Sequence, residues 1–464
     1  MFSLGDVVRA TGGRILGLQG DAWLTGVSID SRTVKPGQLF VAFAGERQDG
    51  HAFVTEALAC GASAALVQRA IDGAPWADSN WNGAPVVLVP ETASALTNLA
   101  LAWRQGQRAR VVGVTGSVGK TTAKEVIGAL LTQRFNVLRS EANLNTDLGL
   151  PMTLMDLSAD HDIAVLEMGM HDLGEIRQLA RIGLPEVGVV TNVLPTHLER
   201  LGTIERVAKA KRELVEALPR NGLAILNADD ERVRLMADAC AGRSVLVGTS
   251  PKADLRAVRV TGRGLDGTEC EFAYEGRSRT ERLQLFGNHS VYPAMAAIAV
   301  AMHFGFTFEE AADGMAAVRP GPRLALVSTP GGITIIDDTY NASPASTIAA
   351  LDFLGQLAGR HVAVLGDMLE LASFEEEGHR LVGQRVPSTA DWLLAIGPRA
   401  RIIGEEAAAC GMSRASIECF ENSAQAIQRL REGLLPGDYV LVKGSHAMQL
   451  DGLVAALQRI SKVA

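Results

Sequence analysis

Residues 111–131 read VVGVTGSVGKTTAKEVIGALL, and the segment TGSVGKTT at 115–122 decides how the rest of the chain is read. An apolar run ends in a glycine loop, a lysine and two threonines, and a helical pattern follows. Glycines let backbone approach an anion closely, and the free amides and dipole at a helix start favour negative charge. Lys120 supplies a cation for terminal phosphates, and the Thr121 hydroxyl can ligate Mg2+. The commoner phosphate loop has a glycine five residues before Gly119, where this chain has Val114. Here the glycines are Gly116 and Gly119, two residues closer together. The stretch predicts a strand, a phosphate loop and a helix, with Thr115, Gly116, Ser117, Val118, Gly119, Lys120, Thr121 and Thr122 around a nucleotide.

Working outward, apolar runs alternate with helical patterns from about residue 110 to 318: VVGVTG, HDIAVLEMG, EVGVVTNV and GLAILNADD. Near-continuous Val/Ile/Leu runs suit strands covered on both faces, so a doubly wound, mostly parallel sheet is expected. Within this stretch, GLDGTECEFAYEGRSRTERLQLFG predicts antiparallel hairpins. Upstream, QLFVAFAG and SAALVQ read as strands on either side of a helix in FVTEALACGA. IDGAPWADSNWNGAP, rich in Gly, Pro, Asn and Asp, reads as a loop or a domain border, and PVVLVPETASALTNLALAWRQ as a strand and helix leading to the phosphate loop. Downstream of VRPGPR, the runs GGITIIDDTYN, GRHVAVLGDM, DWLLAIG and DYVLVKG each precede a helical pattern, as in a Rossmann-like domain. With about 150 residues per domain, the 464 residues are expected to form three α/β domains, at 1–85, 86–318 and 319–464.

Composition narrows the function. Hydrophobic residues make up 47% of the chain and charged residues 21%, an ordinary globular mixture. Against 52 acidic residues stand 44 basic ones, a net charge of −8, so no basic field recruits nucleic acid or an anionic membrane. Any phosphate site must then be local. The five cysteines, at 60, 240, 270, 410 and 419, include no Cys-x-x-Cys, which predicts free buried thiols in a reducing compartment. Asp6 and Arg9 interrupt MFSLGDVVRATGG, so it does not read as a signal peptide. No apolar run reaches the roughly 18 residues of a membrane span. A cytoplasmic protein is expected.

In open α/β sheets, ligands gather at the carboxyl ends of the strands. Glu167 ends IAVLEMG, a place for a Mg2+ ligand or an activator of water, with a solvated strand-end glutamate as the plainer alternative. His197 follows GVVTNV, in LPTHLERLG, where a structural role is the plainer alternative. The amphipathic pattern TIERVAKAKRELVEAL carries Lys209 and Lys211, both expected on a solvated face, and neither is singled out. In IIDDTYNASPAS, Asp337 and Asp338 end a strand, and Ser343 with Pro344 predicts a helix start. VKGSHAM repeats the order of strand, Lys443, Gly444, Ser445 and helix. Ser31-Arg32 and Asp49-Gly50-His51 read as turns, with an anion or sugar site as the alternative.

Nearly the whole chain resembles the Mur ligases, whose shortened loop, T-G-x-x-G-K-[ST], is shared with the folylpolyglutamate synthases. The matching stretches, in order, are DSRTVKPGQLFVAFAGERQDGHAF, TGSVGKTT, NLNTDLGLPMTL, LEMGMHDLGEI, NVLPTHLERLG, AKAKRE, DDTYNASPAS, LGDMLEL and VKGS. DDTYNASPAS and LGDMLEL resemble the branch that joins D-alanyl-D-alanine to UDP-N-acetylmuramoyl-tripeptide. The resemblance implies a monomeric, three-domain, ATP-dependent amide ligase of peptidoglycan synthesis, working through an acyl phosphate with two Mg2+ sites. Its N-terminal domain would hold the uridine diphosphate end with Ser31 and Arg32, its central domain ATP, and its C-terminal domain the incoming amine. The resemblance also implies that Lys120 meets the β- and γ-phosphates, Thr121 the first Mg2+, and that Glu167 and His197 hold metal. Lys211 would be carbamylated by CO2 and help hold a second Mg2+. Lys120, His197 and Lys211 form the implied catalytic set; Asn288, His289, Arg323 and Asp338 would reach ATP, and Asn145, Thr146, Tyr340 and Asn341 would contact substrate.

Two stretches depart from the family pattern. GNHSVYPAMAAIA has Ser290 and Pro293 where Mur ligases carry asparagines, and VKGSHAM has His446 in place of an arginine. Neither change touches the phosphate chemistry. A neighbouring reading is the ligase that adds the third amino acid, whose Asp-Asn-Pro-Arg motif is absent here. Folylpolyglutamate synthases begin near their phosphate loop, whereas about 110 residues precede it in this chain. From a different class, a P-loop switch or nucleotide-binding protein is the alternative.

Overall fold

The structure, a computed structural model, describes residues 1–16, 22–45, 48–70, 73–77, 83–141, 144–319, 321 and 323–459. Outside them lie parts of the expected border loop at 71–85, Glu46 and Arg47 of GERQDGHAF, Asn143 of NLNTDLGLPMTL, and Pro320 and Pro322 of VRPGPR. Contacts divide the chain into two units. The first comprises Met1–Gly113, Phe135–Met170 and Gly174–Glu186, and the second Val114–Arg134, His171–Leu173 and Val187–Ala464.

In the first unit, a five-stranded sheet runs in the order Arg14–Leu16, Val86–Leu88, Ala64–Val67, Leu39–Val41, Val27–Ser28. All neighbours are parallel except at the edge strand Arg14–Leu16. Leu39–Val41 and Ala64–Val67 are buried at every position, which is why they read as unbroken apolar runs. The expected border at 85 falls inside this ladder. Ala65 N donates to Pro85 O at 3.0 Å, and Val86–Leu88 pairs with Ala64–Val67. The Gly/Pro-rich stretch therefore lies between two strands of one sheet, a loop within a domain and not a border between domains. Helix Thr92–Gln105, capped by the Glu91 carboxylate on the amides of Ala93 and Ser94, then packs on helix Leu4–Thr11. The unit also holds the parallel pair Val137–Arg139 and Ile163–Glu167.

In the second unit, Val187–Val190, Leu223–Asn227, Arg243–Gly248 and Leu255–Gly262 lie side by side and parallel. Thr268–Tyr274 and Arg277–Leu283 continue them antiparallel, as the hairpin pattern predicts. Farther along the chain, six strands run in the order Ala325–Ser328, Thr334–Asp338, Tyr439–Lys443, His361–Gly366, Trp392–Ile396, Ile417–Phe420, and all but the first pair are parallel. Side-chain alternation divides these strands between two apolar layers: Ile336, Leu365 and Leu393 enter one, and Ile335, Val364 and Leu394 the other. Ser343, in extended backbone, precedes helix Pro344–Leu354, and its amide donates to Ser346 Oγ at 3.0 Å. In that helix Phe353 is fully buried and stacks on Phe286 with centroids 5.1 Å apart.

All five cysteines are free, but only Cys270 is buried; Cys60, Cys410 and Cys419 are exposed. The expectation of buried thiols fails for a positional reason. Cys60 and Cys410 cap helix C-termini, and Cys419 lies in the edge strand Ile417–Phe420. Among the described residues, no helix is long and apolar enough to cross a membrane.

Phe353→Ala removes a fully buried ring and is expected to cost about 3–5 kcal/mol. Urea unfolding followed by a probe in the six-stranded sheet measures this; a loss below about 1 kcal/mol would show that Phe353 is not a core residue.

Candidate active site

Strand Arg110–Thr115 ends in the loop 116–119, and helix Lys120–Leu131 follows. Gly116 and Gly119 have φ of 151° and 84°, conformations that side-chain-bearing residues rarely adopt. A Cβ on Gly116 would lie 1.8 Å from Thr191 Oγ1. Only glycine lets the loop come so close to its neighbour.

Segment 191–196 laces this loop in place. Thr191 N donates to Thr115 O, and Ser117 N to Asn192 O, both at 3.0 Å. Val118 N donates to Asn192 Oδ1 at 2.9 Å, and Val118 O accepts from Thr191 Oγ1 and Asn192 Nδ2 at 2.7 and 3.0 Å. Ser117 Oγ accepts from Leu194 N at 2.9 Å and from Thr196 Oγ1 at 3.1 Å. Lys120 Nζ folds back on Gly116 O and Ser117 O at 2.8 and 3.2 Å, which holds the ammonium against its own loop.

Lys211 contradicts the expectation of a solvated face, being only 2% exposed. In helix Ile204–Glu216 it lies one turn from Val207 and one from Leu214, both buried, whereas Lys209 is exposed. The 3.6-residue period thus separates the two lysines and puts Lys211 in the apolar stripe. Burial pushes its pKa well down, and the nearby charge of Lys120 adds to the effect. This amine is held toward its neutral, nucleophilic form.

His197, at φ 56°, precedes the short helix Leu198–Leu201. Its Nδ1 donates to Glu370 Oε2 at 2.9 Å, and His171 lies edge-on to its ring with centroids 5.2 Å apart. The hydrogen bond from His197 holds the Glu370 carboxyl below its usual range.

At the carboxyl ends of two strands of the six-stranded sheet, Asp338 forms an ion pair with Lys443, and both are buried. Lys443 Nζ also donates to Asn341 O at 2.8 Å. Burial lowers the Lys443 pKa, against the opposing pull of Asp338. The Arg323 guanidinium lies 3.8 Å from the centre of the Tyr340 ring, which in turn lies 5.6 Å from the ring of His446. Asn288 and His289, both exposed, form the turn that starts helix Val291–His303.

In the first unit, Glu167 is 2% exposed and accepts from Asn145 Nδ2 at 2.8 Å, so the solvated reading fails there. Thr146 Oγ1 accepts from Gly149 N at 3.3 Å. Ser31 is buried with its hydroxyl 3.4 Å from Glu56 Oε2, and Arg32 grips Asp30 through Nε and Nη2 at 2.9 and 2.6 Å. The turn reading holds for Asp49–His51: His51 Nδ1 bonds Asp49 Oδ1 at 2.6 Å, and Nε2 accepts from Gln68 N at 3.0 Å.

Family models match three successive stretches of the chain. They are the Mur ligase family catalytic domain at 24–104, the Mur ligase middle domain at 114–301, and the Mur ligase glutamate ligase domain at 322–446. A Bacillus subtilis relative named UDP-N-acetylmuramoyl-tripeptide–D-alanyl-D-alanine ligase is 36% identical, with 93% of each chain covered. The chain belongs to the Mur ligase family. Among solved Mur ligases, MurF from Acinetobacter baumannii has a TM-score of 0.86 at 28% identity, over 98% of both chains. MurF ligase from Thermotoga maritima, in complex with ADP, has a TM-score of 0.80 at 28% identity, over 94% of this chain and 97% of that one.

In this Mur ligase, Thr191 and Asn192 bond to Val118 of the glycine loop, and Glu370 bonds to His197. The sequence marks them only by their position after a strand or within LGDMLEL. Gly116→Ala is expected to drive Thr191 away from the loop and weaken ADP binding by at least about tenfold, a penalty of the size a strained backbone and a displaced neighbour produce. Titration calorimetry measures this, and unchanged affinity would mean that the loop tolerates a Cβ.

Proposed function

We propose that this Mur ligase uses ATP to join D-alanyl-D-alanine to UDP-N-acetylmuramoyl-tripeptide. The observation that carries the reading is a glycine-restricted phosphate loop whose lysine shares its electrostatic surroundings with a buried, neutral-leaning amine, Lys211. The near-full-length likeness to relatives of that activity supports it.

The terminal carboxylate of the tripeptide attacks the γ-phosphorus of ATP; the bridging P–O bond breaks, ADP leaves, and an acyl phosphate forms. The amine of D-alanyl-D-alanine attacks the acyl carbon, phosphate leaves, and the new amide nitrogen loses a proton to solvent. Lys120 offsets charge on the β- and γ-phosphates while the amides of 115–122 cradle them. Asn288, His289, Arg323 and Asp338 are assigned to ATP; Ser31, Arg32, Asn145 and Thr146 to the UDP-linked substrate; Tyr340 and Asn341 to the incoming amine. Because the acyl phosphate hydrolyses in water, the reacting centre must be covered while it exists. Use of ATP and a UDP-linked substrate puts the enzyme in the cytoplasm.

Thr121, Glu167, His197 and a carbamylated Lys211 are assigned to two Mg2+ ions. Among the described residues, no three His, Cys, Asp or Glu side chains gather as a metal cage. That donor set suits Mg2+, which takes few carboxylates and completes its sphere with phosphate oxygens and water. When bound, Mg2+ neutralises charge on the transferring phosphoryl group. In the carbamylation, neutral Lys211 Nζ attacks CO2, an N–C bond forms, and the amine proton passes to water. The product is an anion, favoured near the Lys120 cation over a second ammonium.

Phosphate release from ATP, with each substrate omitted in turn, is the test. Release should require both the UDP-linked tripeptide and the dipeptide; equal release without the dipeptide would sink the ligase reading. Lys211→Ala is expected to lose activity on the order of 100-fold and to regain part of it with short carboxylates. Turnover close to wild type would rule out the carbamate.

A further inference from the structure

Glu370 belongs to the loop after strand His361–Gly366, and it has no role in the chemistry above. Yet it meets His197 directly, Nδ1 to Oε2 at 2.9 Å. Both residues hold left-handed backbone, φ 56° at His197 and 64° at Glu370, although neither is glycine. Such conformations persist only where surroundings impose them. A hydrogen bond to a half-exposed carboxylate stabilises little, so stability alone gives no reason for two strained residues to meet.

The loop carrying Glu370 is fixed on both sides. Asp367 Oδ1 accepts from Arg399 N and Ala400 N at 3.0 and 2.7 Å, and Ser445 N donates to Asp367 O at 3.0 Å. Met368 N donates to His379 Nε2 at 3.1 Å, and Leu369 N to Ser445 Oγ at 2.9 Å. Just beyond, the turn Ala372–Phe374 packs on helix Leu198–Leu201, which His197 begins. On the other side, Thr196 donates to Ser117 of the phosphate loop at 3.1 Å. A continuous line of contacts therefore runs from the phosphate loop through Thr196 and His197 to Glu370.

We propose that Glu370 is a positioning residue for His197. Its carboxylate accepts a hydrogen bond from Nδ1–H, which fixes the ring and leaves Nε2, with its lone pair, as the atom His197 can offer to a cation or water. The histidine is then set for the reaction only when loop 367–374 is docked on helix Leu198–Leu201. This role rests on the ligase reading, and the test separates the two.

The full-length chain is made with 15N-histidine as wild type, Glu370→Ala and Glu370→Gln, and its imidazole nitrogens are read by NMR without nucleotide or metal. Loss of one signal in His197→Gln assigns the residue. Wild type and Glu370→Gln, which keeps an acceptor oxygen, should show the Nδ1–H tautomer, and Glu370→Ala should move toward Nε2–H. In turnover, Glu370→Ala should lower kcat about 10–100-fold, with KM values within about twofold and an unchanged melting temperature, while Glu370→Gln recovers most of the rate. Wild-type kcat in Glu370→Ala, or an unchanged His197 tautomer, would overturn the proposal. Should the wild type show no ligase turnover, the tautomer arm alone decides.

Discussion

Thr191 Oγ1 stands almost where a side chain at 116 would begin, and the loop 116–119 takes its shape from that close approach. The same segment that excludes a Cβ also supplies hydrogen bonds to Ser117 and Val118. Backbone groups turned toward a phosphate cannot also partner one another, so a loop of this kind needs its shape imposed from outside. Segment 191–196 does this, and the next residue in the chain is His197. Loop shape and histidine placement are thus coupled through one short stretch of backbone.

Two buried lysines show contrasting ways of living with low dielectric. Lys443 has an opposite charge beside it in Asp338, which makes its ammonium tolerable. The charge of Lys120 is of the same sign as that of Lys211 and pushes the Lys211 pKa down further. A buried amine in that position gains by giving up its proton, and a neutral amine can react with an electrophile. One lysine is paired with an opposite charge, and the other is buried beside a like one.

Much of the architecture is legible in the sequence because the parallel strands are covered on both faces. Leu39–Val41 and the interior of the six-stranded sheet then appear as unbroken apolar runs, and alternation marks the hairpin strand Thr268–Tyr274. The border at 85 misleads because a polar, glycine-rich connection between two paired strands has the composition of a linker. Lys211 is legible in the helical period, one turn from Val207 and one from Leu214, although a lysine on such a helix is ordinarily solvated. Glu370 is not legible in this way, since its partner lies far off in the chain and no local pattern encodes a long-range contact. The cysteines misled for another reason, since residue type predicts burial on average while helix ends and edge strands decide it case by case.

The pairing of Thr334–Asp338 with Tyr439–Lys443 puts Asp338 directly opposite Lys443. Between their ends both strands carry apolar side chains, Ile335 and Ile336 beside Val440 and Leu441, so packing there discriminates weakly against a shifted alignment. A one-residue slip that set the Asp338 carboxylate opposite Val442 would turn each side chain to the other face and leave two charges buried apart. The ion pair thus acts as an alignment key for the six-stranded sheet. It penalises the wrong pairings more than it strengthens the right one, and so helps give a sequence of nearly uniform strands a single folded arrangement.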